Sequence, residues 1–368
     1  MNNNDETTRG NTAEGGAASS WLSEGTVTVT QPLFSGMSGL NRYHGAKDRL
    51  AAAGHDLEGQ EEDISLRAAR AHLNLMRTRE LLALASQFLS QTEERHKNIA
   101  LMVKEGAADA AELLQATEIQ AAVRNTRLGY EESFRQAEAD YIEVVGAAPE
   151  QTLEFGDTTW NAFIPPTVTE AVTSAVSQNP AVLAADSISS ALHRESHAEQ
   201  AVFWPVVDAE MSYMKKDQLD VVGGESSNAQ AMVKLGWNFS VGGGQFARIR
   251  KVREQQKEAD ARRLGVIRNV EHDVRQKYTS MEIVDQQLAL LVERENAGKT
   301  ILDNYISQFE AGKQSNLQLI SATARVFEAQ ASRTDTYYRR LLARFELLNA
   351  MGRLRDAFMP VPGKSQKG

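Results

Sequence analysis

The sequence predicts a mainly α-helical fold with a small β part: long antiparallel coiled-coil helices joined to β-hairpin strands, arranged as two internal repeats. Two sets of landmarks carry that prediction. A short alternating strand runs through a glycine into a long helix at Thr26–Gly36, and the same succession returns 207 residues later at Val233–Gly243. The lone glycine turns Gly106 and Gly312, and the closing pairs Val145-Gly146 and Met351-Gly352, are each 206 residues apart. Three landmarks in one register define a repeat, which fixes the object on which every other motif sits.

Taken in order, residues 1–25 are rich in Asn, Gly and Ser, lack a period, and read as a polar loop. Residues 26–146 form repeat one. Its strand alternates Thr and Val over 26–34, and a proline-free stretch from Ser38 to Lys104 places Leu66, Ala69, Leu73, Met76, Leu81, Leu84 and Phe88 mostly three or four apart. That spacing predicts one long helix, or two stacked end to end, followed after Gly106 by a helix of about 35 residues reaching Val145. Residues 147–166 hold three of the eight prolines and read as an irregular linker.

Repeat two, residues 167–352, opens with a helix interrupted at Asn179-Pro180 and ending before Trp204-Pro205. A strand over Val206–Met214 alternates in polarity, a polar turn is expected over Lys215–Gln230, and a partner strand places Val233, Leu235, Trp237, Phe239 and Val241 on one face. A helix from Gln245 to about Ala297, ~80 Å long, carries a seam of Ile267, Val270, Val274, Tyr278, Met281, Val284, Leu288 and Leu291. The last helix spans Leu317–Met351, and residues 353–368 form a C-terminal tail.

Composition narrows the function. Forty basic residues dispersed among 49 acidic ones, for a net charge of −9, give no sustained positive field for a phosphate backbone, so nucleic acid is not an expected partner. There is no cysteine, which excludes disulfides and thiolate metal sites. No stretch reaches the roughly 18 apolar residues of a membrane-spanning helix. The N-terminus shows no basic segment or apolar signal core. Projecting repeat two back by 206 residues nevertheless puts the start of repeat one before Met1, which leads to the expectation of an N-terminal truncation. Strands with one apolar and one polar face cannot form a stable small sheet in water. They suit the staves of a transmembrane barrel shared among several chains, where closure satisfies every backbone group.

With these residues in place, the chain resembles the TolC-like outer membrane efflux protein family over about residues 26–352. The resemblance rests on Ser177-Gln178-Asn179-Pro180-Ala181-Val182, Phe203-Trp204-Pro205-Val206-Val207, Leu235-Gly236-Trp237-Asn238-Phe239 before Gly242-Gly243-Gly244, and Phe309-Glu310-Ala311-Gly312. It implies a homotrimer whose protomers each give four strands to one barrel in the outer membrane of a Gram-negative bacterium, and helices to a periplasmic α-barrel. It further implies a passive conduit for efflux or type I secretion that works with a periplasmic adaptor and an inner-membrane transporter, without catalysis or cofactor. Three of the four strands are recognisable here. By the same resemblance the adaptor-docking turns lie at Gly106 and Gly312, and the periplasmic constriction at Glu112, Phe309, Gln314, Gln318 and Ser321. Amide and hydroxyl groups stand where the family's inner helices carry acids, so the expected pore is less cation-selective and more loosely held shut.

Other signals read as structural. Gly242-Gly243-Gly244 resembles a dinucleotide turn but precedes a helix of some 50 residues, too long for that motif. His193 and His197 are one turn apart, yet Arg194 stands where a metalloprotease needs Glu, so no metal site is expected. Arg248, Arg250, Lys251 and Arg253 read as a solvated helix face, with contact to outer-membrane lipid headgroups as the alternative. Val233, Leu235 and Phe239 are expected to face lipid, with Trp204 and Trp237 in an aromatic girdle. A soluble coiled-coil scaffold or interaction protein is the alternative function, and the strand face discriminates the two.

Overall fold

The structure, a computed structural model, describes residues 22–150, 158–218, 225–237 and 242–358. These form β1 (Leu22–Phe34), α1 (Ser38–Lys104), α2 (Ala110–Val145), a 3-10 turn (Thr158–Phe163), α3 (Val168–Gln178), α4 (Pro180–Gln200), a 3-10 turn (Ala201–Phe203), β2 (Val206–Gln218), β3 (Glu225–Gly236), α5 (Gly244–Glu310), α6 (Asn316–Ala350) and α7 (Leu354–Phe358). They fall into two compact units, Met1–Gly45 with Leu192–Gln255 and Ala46–Ala191 with Gln256–Gly368.

The repeat is written in the helix lengths. α1 and α5 are each 67 residues, and α2 and α6 are 36 and 35. The positive-φ glycines among the described residues are Gly36 and Gly243, Gly106 and Gly312, Gly146 and Gly352, the three pairs that the sequence aligns. α1 is one continuous helix, as the absence of proline permits.

The first unit holds a three-stranded antiparallel sheet in the order β1-β2-β3. Its boundaries correct the sequence reading. Residues 22–25, assigned to the polar loop, begin β1, and the expected turn over 215–230 is largely strand, since β2 continues to Gln218 and β3 starts at Glu225. That segment is polar on both faces and so lacks an apolar alternation. It is held by ladder pairing from Lys215↔Ser227 to Asp217↔Glu225 and by a Lys215–Glu225 ion pair of 2.8 Å.

The second unit is a helical body. The predicted α5 seam is real: Val274, Tyr278, Met281 and Val284 are buried. The first three continue into a core with Ala171, Val172, Ala175, Leu347 and Met351. α5 itself runs past the expected end to Glu310. The linker is partly built, because Trp160 from its 3-10 turn is buried against Phe345, ring centroids 5.1 Å apart. The C-terminal tail is corrected in the same way. α7 buries Leu354 and Ala357, and the Glu62 carboxylate accepts the Leu354 and Arg355 N–H groups at 2.9 and 3.0 Å. Both corrections arise from one or two apolar residues in short segments, too few to show a period.

Asn179-Pro180 joins α3 to α4 and clamps the end of α6. Asn179 leaves helical geometry at ψ 125°, its Oδ1 accepts the Ala181 N–H at 2.9 Å, and its Nδ2 donates to the Ala350 carbonyl at 2.8 Å. Pro180 sits at the first helical position, where its missing N–H is not needed. Gly352 closes the clamp at φ 70°, and a Cβ there would lie 2.5 Å from Pro180 Cδ and 2.9 Å from Asn179 Cα. We expect Gly352→Ala to cost about 2 kcal/mol or more, from strain plus steric overlap. Gly312→Ala, with nothing within 4 Å of the added carbon, is expected to cost about 1 kcal/mol. Thermal unfolding midpoints of the two variants measure the difference.

Candidate functional site

Two regions carry the residues singled out by sequence, the sheet and the helical tips. In the sheet, cross-strand partners share a face because antiparallel neighbours pleat together. One face reads Val27–Tyr213–Ala229, Val29–Met211–Ala231, Gln31–Ala209–Val233 and Phe34–Val207–Leu235. The other reads Thr26–Met214–Asn228, Thr28–Ser212–Gln230, Thr30–Glu210–Met232 and Pro32–Asp208–Lys234, with a Lys234–Glu210 ion pair of 2.6 Å. Three strands from different parts of the chain thus agree on one apolar and one polar side. Val233, Leu235 and Trp237 are 68%, 70% and 53% exposed, so among the described residues no second layer covers the apolar side. Phe239 and Val241 lie outside the described residues.

At the helix end of the sheet the aromatics gather. Phe34, Phe203, Trp204, Pro205 and Trp237 line one shallow hollow. The Trp237 indole N–H donates to the Phe203 carbonyl at 3.2 Å, and the Phe203 ring packs on Phe246 at 5.4 Å. Trp204 and Trp237 were expected in such a belt. Phe34 and Phe246 carry no such expectation: a register shift between Pro32 and Phe34 returns Phe34 to the face of Val207, and Phe246 lies in the first turn of α5.

At the tips, both repeats use the same turn. Gly106 N–H donates to Val103 O and Ala107 N–H to Met102 O; Gly312 N–H donates to Phe309 O and Lys313 N–H to Gln308 O, all at 2.8–3.1 Å. This is the paired bonding of a helix closed by a left-handed glycine. The following helices are capped by Asp109, which accepts the Ala111 N–H, and by Ser315 in a reciprocal capping box with Gln318. The two tips meet through Ile99, Ala116 and Ile320, flanked by Val103, Leu113 and Leu317. Arg95 lies over the Phe309 ring at 5.8 Å, and the Asn316 Nδ2 group donates to Met102 Sδ at 3.4 Å. Asn316 is buried, a role with no signal in the sequence.

Residues 171–353 match the outer membrane efflux protein family. The chain belongs to that family. The outer membrane efflux protein BepC of Brucella suis is 22% identical over 343 residues, spanning 92% of this chain and 74% of the relative. Two solved structures share the fold. The MtrE outer membrane channel of Neisseria gonorrhoeae has a TM-score of 0.73 at 14% identity, covering 91% of this chain and 81% of that one. The outer membrane protein VceC of Vibrio cholerae has a TM-score of 0.71 at 15% identity, covering 90% and 87%. This efflux family consists of channels, and the chain is an outer membrane efflux channel protomer.

The five residues expected at the constriction lie on two hairpins of this efflux protein. Gln318 and Ser321 are exposed on the first turns of α6, with the Ser321 hydroxyl donating to the Leu317 carbonyl at 3.0 Å. The Gln314 amide donates to Gln308 Oε1 at 2.9 Å. Phe309 ends α5 and Glu112 occupies the first turn of α2, in the other hairpin. Among the described residues no group of three or more His, Cys, Asp or Glu side chains that could hold a metal ion occurs.

Ion pairs tie the helices together above the tips. Asp285 on α5 accepts from Arg340 at 2.6 Å and from Arg344 at 2.8 and 3.0 Å. Glu295 contacts Lys299 and Arg333 at 2.7 Å each. Burial pushes both carboxyls up, but the hydrogen bonds and charges of these cations outweigh it and hold both below their ordinary values. A carboxyl depressed in the folded state lends stability that is complete above its unfolded value, near 4, and is lost as pH falls through the folded one. We therefore expect the unfolding midpoint to fall below about pH 4. Asp285→Asn should flatten that acid limb and lower stability at neutral pH, as read by denaturant unfolding from pH 3 to 7.

Proposed function

We propose that three copies of this chain close one outer-membrane barrel, and that their helices extend into the periplasm as the wall of a passive conduit serving a tripartite efflux or type I secretion system. A single observation carries the reading: a one-layer sheet whose three strands agree on a bare apolar face. In water such a face is costly at about 25 cal/mol per Å². Against acyl chains it is satisfied, while the polar side faces an aqueous lumen. The aromatic cluster at the helix end of the sheet supports the same orientation, since indole and phenyl rings favour the boundary between hydrocarbon and water.

Membership of the efflux family supports partners of the same system. The turns at Gly106 and Gly312 are where a periplasmic adaptor would dock, linking the conduit to an inner-membrane transporter that selects the cargo. Gln314, Gln318 and Ser321 on the second hairpin, with Phe309 beside them and Glu112 on the first, would line the periplasmic mouth. The amide and hydroxyl groups of the second hairpin add no field to concentrate cations, which leaves Glu112 as the one acid among these five positions. The chain's part is that of a duct, with no reaction or cofactor assigned to it.

The lipid-facing assignment is tested at Leu235. Leu235→Asp places a charge on the apolar face and should abolish recovery of membrane-inserted trimer, whereas Ser212→Asp on the polar face should leave it intact. Equal insertion of both variants in a membrane-fractionation assay would defeat the barrel reading. The mouth is tested by reversal potentials in planar bilayers. The unmodified channel should show weak cation preference, and Ser321→Asp should raise that preference and introduce block by divalent cations. Strong, divalent-blocked cation selectivity without the substitution would refute the uncharged mouth.

A further inference from the structure

The start of α5 carries Arg248, Arg250, Lys251 and Arg253, all exposed. Among the described residues none of the four makes a hydrogen bond or ion pair. The helix dipole gives them no compensation, since it favours anions at this end. Their counterparts in repeat one, 206 positions earlier in the equally long α1, are Arg42, His44, Gly45 and Lys47, so the full cluster of four is particular to repeat two. Ile249 and Val252, between them in sequence, are buried, so the cations occupy the outward side of the helix.

Their placement relative to the sheet is set by Phe246. That residue packs on Phe203, whose carbonyl receives the Trp237 indole N–H. Trp237 follows Leu235 on the apolar face. On a helix, residues four and seven positions on return to the same side, so Arg250 and Arg253 lie below Phe246, about 6 and 10 Å further along the axis. An exposed aromatic hollow and, just beyond it, two unpaired guanidinium groups thus follow one another on one side of the unit.

We infer that this side is a binding site for an anionic phospholipid. The hollow formed by Phe34, Phe203, Trp204 and Trp237 takes the glycerol and first methylenes of the acyl chains. Arg250 and Arg253 hold the phosphate, and their planar forks suit its oxygens. Arg248 and Lys251 flank the site and add to the local positive potential. The inference rests on the apolar face meeting lipid, and it adds a headgroup preference that a bare apolar band does not supply. It also replaces the reading of the cluster as a merely solvated helix face.

The full chain in uncharged detergent, presented with phosphatidylglycerol or phosphatidylcholine of identical acyl chains, provides the test. Retained lipid is counted by native mass spectrometry. Phosphatidylglycerol should be retained at least about five-fold over phosphatidylcholine, and the preference should shrink as salt rises. Arg250→Ser with Arg253→Ser should erase it, and Arg250→Lys with Arg253→Lys should keep most of it. Inorganic phosphate at the same concentration should not displace the lipid; displacement would make this a free-anion site and overturn the proposal. Equal retention of the two lipids, or an unchanged preference in the serine variant, would overturn it as well. Alkaline-carbonate extraction of membranes from expressing cells separates the two readings. Stable insertion without headgroup preference removes only the lipid site, whereas failure of the unmodified protein to insert removes the barrel reading and this inference together.

Discussion

Matched helix length is the constraint on which the rest of this structure depends. A 67-residue helix has no internal reason to stop where its counterpart in the other repeat stops. Left-handed glycines at Gly106 and Gly312 end both at equivalent positions. Helices of 36 and 35 residues then return. Because the stops agree, the tips coincide and bury Ile99, Ala116 and Ile320 together. At the other end of the return helices, Gly352 fits against Asn179-Pro180, so the second hairpin is fixed at both extremities.

The sheet obeys a different constraint. Its strands keep one polarity across three segments drawn from both repeats, although the described residues supply no second layer to demand it. Pleating alternates side chains by necessity, but only an external medium explains why Val29, Met211 and Ala231 stay on the same side. Membership of an outer membrane efflux family is consistent with lipid as that medium, as in the proposed function. The helical body, in contrast, is joined by many interhelical ion pairs, such as Arg77–Asp335 and Arg70–Glu346, at 2.7 and 2.8 Å. Exposed pairs of this kind contribute little each.

Much was legible before any coordinates. Helix ends could be read because left-handed turns need glycine and because Asn-Pro cannot continue a helix. The apolar positions of β3 and of the α5 seam could be read from their periods. The outer parts of β2 and β3 could not, since Lys215–Gln218 and Glu225–Gln230 are polar on both faces and draw their order from pairing. Nor could α7, whose anchor is the Glu62 carboxylate almost 300 residues away in sequence. Gln318 was legible as a polar residue near the mouth, but its engagement with the Ser315 cap emerged only from geometry.

The sequence by itself determined the periodicities, the stops and the two-fold internal repeat, because each of these is a local property of backbone sterics and side-chain spacing. Tertiary structure decided which strands share a face, how the tips seat on one another, and that Phe246 brings the basic start of α5 beneath the aromatic cluster. Those depend on contacts between segments up to some 200 residues apart, and no short window of sequence encodes them.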